Sequence, residues 1–103
     1  MVFMIERTWR GISNVDTANQ YIEHLRTDTF PKVRNIRGNI GAKVLRRDLD
    51  AQVEFLVVTS WISMDAIKAF AGGDIEVAVV PEKAQAVLSE YDATVKHYEL
   101  VDA

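Results

Sequence analysis

The chain has 103 residues, a formal net charge of −3 and no cysteine. That length allows one domain with one modest core, burying roughly 60–65 % of the surface its unfolded form exposes. The lack of cysteine excludes disulfides, thiolate metal sites and a cysteine nucleophile, and the acidic balance supplies no overall field for nucleic acid or an anionic membrane surface.

Hydrophobic residues make up 49 % and charged residues 26 %, the balance of a globular chain with a packed core. No basic leader precedes an apolar run, and no such run approaches about 18 residues. The expectation is therefore a cytoplasmic protein with neither signal peptide nor membrane-spanning helix.

Residues 2–10 read as a first strand, with Phe3, Ile5, Arg7 and Trp9 on one face and Val2, Met4, Glu6, Thr8 and Arg10 on the other. Gly11 ends it. Ser13 or Asn14 then caps a helix in which Val15, Ala18, Tyr21, Ile22 and Leu25 recur at helical spacing, with Asp16 near its positive end. Pro31 marks an irregular continuation or a break. Gly38 and Gly41 flank the entry to a second strand from Ile40 to Asp48. Asp48 to Ala51 form a hairpin turn, and a third strand returns antiparallel from Gln52 to Trp61. Ser63 caps a second helix that carries Met64, Ile67, Phe70 and Ala71 on one stripe, and Gly72-Gly73 stops it. Residues 75–80 read as strand by β-branching and as helix by context. Pro81 opens a short helical piece from Glu82 to Leu88, and the last strand spans Ala93 to Val101. The order β-α-β-β-α-β defines an α+β, ferredoxin-like domain over residues 1–103, a four-stranded antiparallel sheet with its helices on one face.

The third strand carries a further consequence. Val53, Phe55, Val57, Thr59 and Trp61 alternate with Glu54, Leu56, Val58, Ser60 and Ile62, so both faces are largely apolar. Two helices cover one face of such a sheet, and the other needs a cover of its own. A second copy of the sheet across a two-fold axis is the simplest one, giving a homodimer with room for a small ligand. Residues 74–90 folding over that face within one chain are the alternative.

Four stretches, Arg7-Thr8-Trp9-Arg10-Gly11, Gly41-Ala42-Lys43-Val44-Leu45-Arg46-Arg47, Glu54-Phe55-Leu56-Val57-Val58-Thr59-Ser60-Trp61 and His97-Tyr98-Glu99, resemble the antibiotic biosynthesis monooxygenase family, the dimeric α+β barrels. The resemblance covers essentially the whole chain, and its most specific piece is the strand ending in Trp61 followed by Ser63 and the helix to Phe70. It implies a dimer whose sheets form a barrel, with a pocket between sheet and helices in each subunit. The family includes cofactor-free monooxygenases of phenolic or quinol compounds, haem-degrading enzymes, isomerases of small acids and members without assigned activity, so the fold alone does not select a reaction. The haem-degrading branch wants an Asn, a Trp and a ligating His where this chain has Arg7, Phe70 and Val79 or Val80, so no haem, and no other cofactor, is expected.

A cofactor-free oxygenase must form an electron-rich anion in a water-poor pocket and let it meet oxygen. Of the two histidines, His24 beside the apolar stripe reads as a solvated helix residue. His97, in register with Val95 and Glu99, is the candidate general base, oriented by Glu99, or else a structural histidine. Arg7, in apolar company, is the candidate partner of a substrate oxyanion, or else one half of a buried ion pair with Glu54 or Glu99. Trp9, Phe55, Trp61 and Phe70 are the candidate contacts for an apolar or aromatic small molecule, with core packing as their ordinary role. Arg34, Arg37, Lys43, Arg46 and Arg47 form a basic cluster that reads as a solvated hairpin. No metal-ligand spacing, phosphate loop or nucleophile elbow is present. The reaction expected is oxygenation of a small aromatic or quinol-like compound; a non-catalytic ligand-binding or regulatory dimer and an isomerase of small unsaturated acids are the alternatives.

Overall fold

In the computed structural model, which describes residues 4–103, the first strand β1 runs from Ile5 to Asn14. Val2 and Phe3, assigned to it by their alternation, lie outside the described residues. Gly11 does not end this strand. It pairs with Phe55, and a Cβ there would stand 3.1 Å from the Trp9 ring, so glycine lets the indole lie back along the strand. Ser13 is consequently a strand residue, fully buried, and Asn14 precedes the helix without a side-chain cap.

A 3₁₀ turn over Val15–Thr17 leads into α1 (Ala18–His24), a π turn over Leu25–Thr29, and α2 (Phe30–Arg34). Pro31 sits in the first turn of α2, and the irregularity falls before it. Pro31 has no N–H to offer the carbonyl four residues back, and Phe30 N–H instead reaches five residues back to the Leu25 carbonyl. The helix widens by one residue rather than breaking.

Strands β2 (Asn39–Leu49) and β3 (Gln52–Trp61) form the expected hairpin, with Asp50 at positive φ in its turn. The Ser63 hydroxyl accepts a hydrogen bond from Ala66 N–H, capping α3 (Met64–Ala71), and Gly72 at φ 81° ends it. Residues 72–81 hold no helix and a single bridge, Val77 to Thr94, before α4 (Glu82–Val87). The expected last strand, Ala93 to Val101, is shorter, β5 (Lys96–Glu99), and a two-residue β4 (Glu90–Tyr91) outside the expected span precedes it; both lie against β1. The sheet is thus five-stranded and open, with order β2-β3-β1 and then β4 and β5 along the far edge of β1.

The helices cover one face. One cluster on that face packs Ala18, Tyr21, Leu25 and Phe30 on Val53 and Phe55, and a second packs Val33 and Ile67 on Ile5 and Trp61. The 72–81 segment lies on this face as well, because Ile75 and Val77 offer their carbonyls to Arg7, whose side chain shares it. It does not cover the other face. There Leu45 and Leu56, directly opposed in register, are 49 % and 38 % exposed, and Tyr98 of β5 is 54 % exposed. No helix among the described residues is long and apolar enough to cross a membrane.

Candidate functional site

A cavity of about 60 Å³ lies between the sheet and α1, α2 and the 72–81 segment. Arg7, Trp9, Val57, Thr59 and Val95 form its floor, and Tyr21, His24, Leu25, Thr29, Val33 and Phe70 its walls. Val79 and Pro81, both exposed, mark its mouth.

Arg7 is the unusual member. It is 4 % exposed in a largely apolar setting, and burial pulls its guanidinium down to about 10 with no carboxylate beside it to oppose the shift. The expected ion pair with Glu54 or Glu99 is not made. Glu54 faces the opposite side of the sheet, bonded to Arg10 and to Arg47 at 2.8 Å. Arg7 instead donates to the carbonyls of Ile75 and Val77 (3.3 Å) and to Nε2 of His97 at 3.0 Å, and it lies 5.7 Å over the Phe70 ring. A guanidinium has about five N–H donors, so two remain for a ligand. Thr59, directly across from Arg7 on β3, accepts from Trp61 Nε1 at 2.8 Å and keeps its own O–H to donate. A buried cation and a hydroxyl donor thus stand side by side at one end of the cavity.

His97 and Arg7 are therefore brought together, as cross-strand partners on β5 and β1. Arginine only donates, so Nε2 of His97 is the acceptor and the ring is neutral with its proton on Nδ1. His97 itself faces a shallow depression with Ile75, Glu76 and Lys96 rather than the cavity. Glu99 is exposed, one strand position pair further on, and opposite Ile5. Burial, then the Arg7 charge, lower the affinity of His97 for a proton, with Glu76 acting the other way. The unfolded chain consequently binds more protons than the folded one below the ordinary imidazole value of about 6.5. Stability from this pair is full above that pH and is lost as pH falls from it through the lower value of the folded ring. In thermal melts between pH 8 and 5, wild type is expected to lose more stability than His97→Asn; equal losses would show that the pair does not couple to folding.

Of the aromatic candidates, Trp9 and Phe70 line the cavity. Phe55 and Trp61 do not: both are fully buried in the two core clusters, Phe55 under Tyr21 (5.0 Å) and Trp61 against Phe70 (6.2 Å). His24 is the opposite correction. Its side chain is only 9 % exposed and forms part of the cavity wall, where a solvated position was expected. Tyr21, read as a member of the apolar stripe, lines the cavity too, and burial pushes its phenol upward so that it stays protonated. The three-residue spacing of Tyr21 and His24 could have revealed them as neighbours. Thr29 could not have been found that way. In an α-helix a residue five positions on is rotated by about 140°, and only the π turn brings Thr29 Oγ1 to 3.2 Å from His24 Nε2. The basic cluster is dispersed: Arg34 bonds the Ala42 carbonyl, Arg46 pairs with Asp48 and Arg47 with Glu54. No group of three or more potential metal ligands occurs among the described residues.

The fold and this site define a ferredoxin-like α+β domain with an apolar, aromatic-lined cavity anchored by a buried cation. The sequence pattern of the antibiotic biosynthesis monooxygenase family matches residues 15–75, more than half of the chain, and the chain belongs to that family. Its fold is similar to that of a Bacillus cereus protein provisionally assigned to the antibiotic biosynthesis monooxygenases (19 % identity, TM-score 0.68, 98 % of this chain and 96 % of that one). A Nitrosomonas europaea protein of unknown function (16 %, 0.71, 99 % and 93 %) and a haem-degrading protein of Mycobacterium tuberculosis (22 %, 0.60, 97 % and 94 %) are similar in the same way. At such identities the likeness establishes the fold alone. No curated protein matches the chain.

Proposed function

We propose that the protein is a cofactor-independent monooxygenase of a small aromatic, quinol-like compound, working as a homodimer whose open sheet faces pack together. The observation that carries this reading is Arg7, a buried guanidinium with no carboxylate partner, beside a hydroxyl donor and two aromatic rings in a family of monooxygenases. An unpaired buried charge costs several kcal/mol, which a fold tolerates where an anion is to be stabilised. Arg7 and Thr59 hold the substrate oxyanion, with Trp9 and Phe70 against the ring. His97 acts with Arg7 as a unit, and takes a proton at Nε2 only when it gives up the guanidinium. A quinol supplies its own two electrons: one atom of O₂ enters the ring, the other leaves as water with two substrate hydrogens, and the product is a hydroxyquinone.

An apolar cavity that takes benzene measures about 150 Å³, more than the space present here. The aromatic substrate therefore enters as the part of the 72–81 segment that lines the cavity, Val79 to Pro81, moves outward. The small volume also favours a second reading, an isomerase of a small unsaturated acid whose carboxylate pairs with Arg7. Oxygen uptake with hydroquinones and anthrones separates the two. Consumption of one O₂ per substrate by the purified protein is expected; no uptake over the whole panel, with small carboxylates competing for the cavity, would replace the first reading by the second.

A further inference from the structure

We propose that His24 takes the hydroxyl proton of the ligand and passes it to solvent across the helix, so that the ligand is an aromatic with two oxygens on opposite sides of its ring. This rests on the cavity reading above and adds the proton path that reading leaves out. Three ionisable side chains line the cavity: Arg7, Tyr21 and His24. Arginine and a buried phenol hold their protons near neutral pH, and imidazole is the side chain that both takes and gives one there.

The position of His24 suits the task. Its ring lines the cavity on one side and, on the other, a surface groove formed with Glu23, Thr27, Asp28 and Lys83. It is a partition between the ligand space and water. Nε2 lies 3.2 Å from Thr29 Oγ1 and 4.0 Å from Asp28 Oδ2, and Lys32 bonds Asp28 at 2.8 Å. That lysine holds the Asp28 carboxyl below its ordinary range, so an anion stands on the solvent side of the ring. The Tyr21 ring stacks on His24 at 6.5 Å and 28°. The charged groups about the imidazole are thus Glu23, Asp28, Lys32 and Lys83 outward, with Arg7 across the cavity. The π turn is what assembles this wall, and π turns recur at functional sites.

The two poles are set apart along the sheet. Arg7 pairs with Thr59, whereas Tyr21 packs over Phe55 and Trp9. Trp9 is two residues beyond Arg7, about 6.8 Å along the strand, the scale of a single ring with an oxygen at each end. A hydroxyl at His24 loses its proton: the O–H bond breaks with its electron pair left on oxygen, an N–H bond forms on the imidazole, and the imidazolium releases its other proton past Asp28 to water. Where the second oxygen belongs to a conjugated carbonyl or nitro group, the charge spreads through the ring to that oxygen, held by Arg7 and Thr59. In a quinol it stays on the first oxygen and the ring carbons, and Arg7 and Thr59 hold the second oxygen, whose own proton is still in place.

The probe is 4-nitrophenol, whose ionised form absorbs visible light and whose two ends both carry oxygen. Native protein is expected to bind it as the phenolate at a pH where the free compound is largely neutral. His24→Gln should bind it within a few-fold of native affinity, yet with the ionised fraction reduced at least tenfold. With quinols, His24→Gln should lower kcat by 10²-fold or more and leave KM nearly unchanged, and added imidazole should restore part of the rate to His24→Ala. Asp28→Asn, which leaves the ring in place, should lower the ionised fraction a few-fold and serves if the His24 variants do not fold. An unchanged ionised fraction in both His24→Gln and Asp28→Asn overturns the proton path while the cavity reading stands. Failure of native protein to bind nitrophenol at all overturns the cavity reading and this inference with it.

Discussion

Arg7→Met is expected to lower kcat/KM for quinols by 10²-fold or more while leaving the melting temperature unchanged or raised. The two halves of that result have different origins. Loss of a single donor to a developing oxyanion costs about 10²–10³ in rate, and Arg7 supplies both a charge and free N–H groups at the cavity floor. Stability responds otherwise. Replacing a buried, uncompensated charge by an apolar chain of similar length removes a desolvation penalty, and Met keeps the contact with Phe70. The carbonyls released belong to Ile75, which is half-buried, and Val77, which is exposed, so water can take over their hydrogen bonds. A site strained for function shows this combination, gain of stability with loss of activity. Paired thermal melts and steady-state kinetics are the measurement. If the variant instead melts ten degrees or more below wild type, and activity returns on cooling, Arg7 is a structural residue and the anion site is not where we place it.

Leu56→Lys is expected to convert the proposed dimer into a monomer. Leu56 and Leu45 are opposed in register at the middle of the uncovered sheet face, with Val58 beside Leu56 on β3 and Tyr98 on β5. In a two-fold interface every substitution enters twice, bringing like charges into one desolvated layer. Each buried charge costs several kcal/mol, so the dimer dissociation constant should rise by about 10³-fold or more. The face is not uniformly apolar: Glu54 bridges Arg10 and Arg47 toward one end, and Glu6 accepts from Ser60 at 2.6 Å toward the other. Those pairs fit the polar rim of an interface whose centre is Leu45 and Leu56. Sedimentation of both proteins at micromolar concentration decides it. A wild type that sediments as a monomer would remove the second copy from the proposal, and a variant that remains dimeric would move the interface elsewhere.

Much of the frame follows from local rules that need no partner. Alternation over Gln52–Trp61, the Ser63 cap and the Gly72 stop depend on neighbours within a few residues, and they appear as read. That Arg7 shares a face with Trp9 is equally local, since side chains alternate along any strand. What tertiary structure alone decided is which of these groups meet in a cavity. Trp61 and Phe55 have the residue type of a ligand contact, and the clusters around Val33 and Tyr21 seal them away. Gly11 reads as a strand end, yet β4, β3 and the Trp9 ring together keep the strand running through it. The placement of the two histidines has the same cause. His97 is fixed by pairing with a residue ninety positions away, and His24 is turned inward by a π turn that 3.6-residue periodicity does not anticipate. Periodicity assigns a side chain to a face of its own element; only the packing of distant elements determines whether that face meets core, cavity or water.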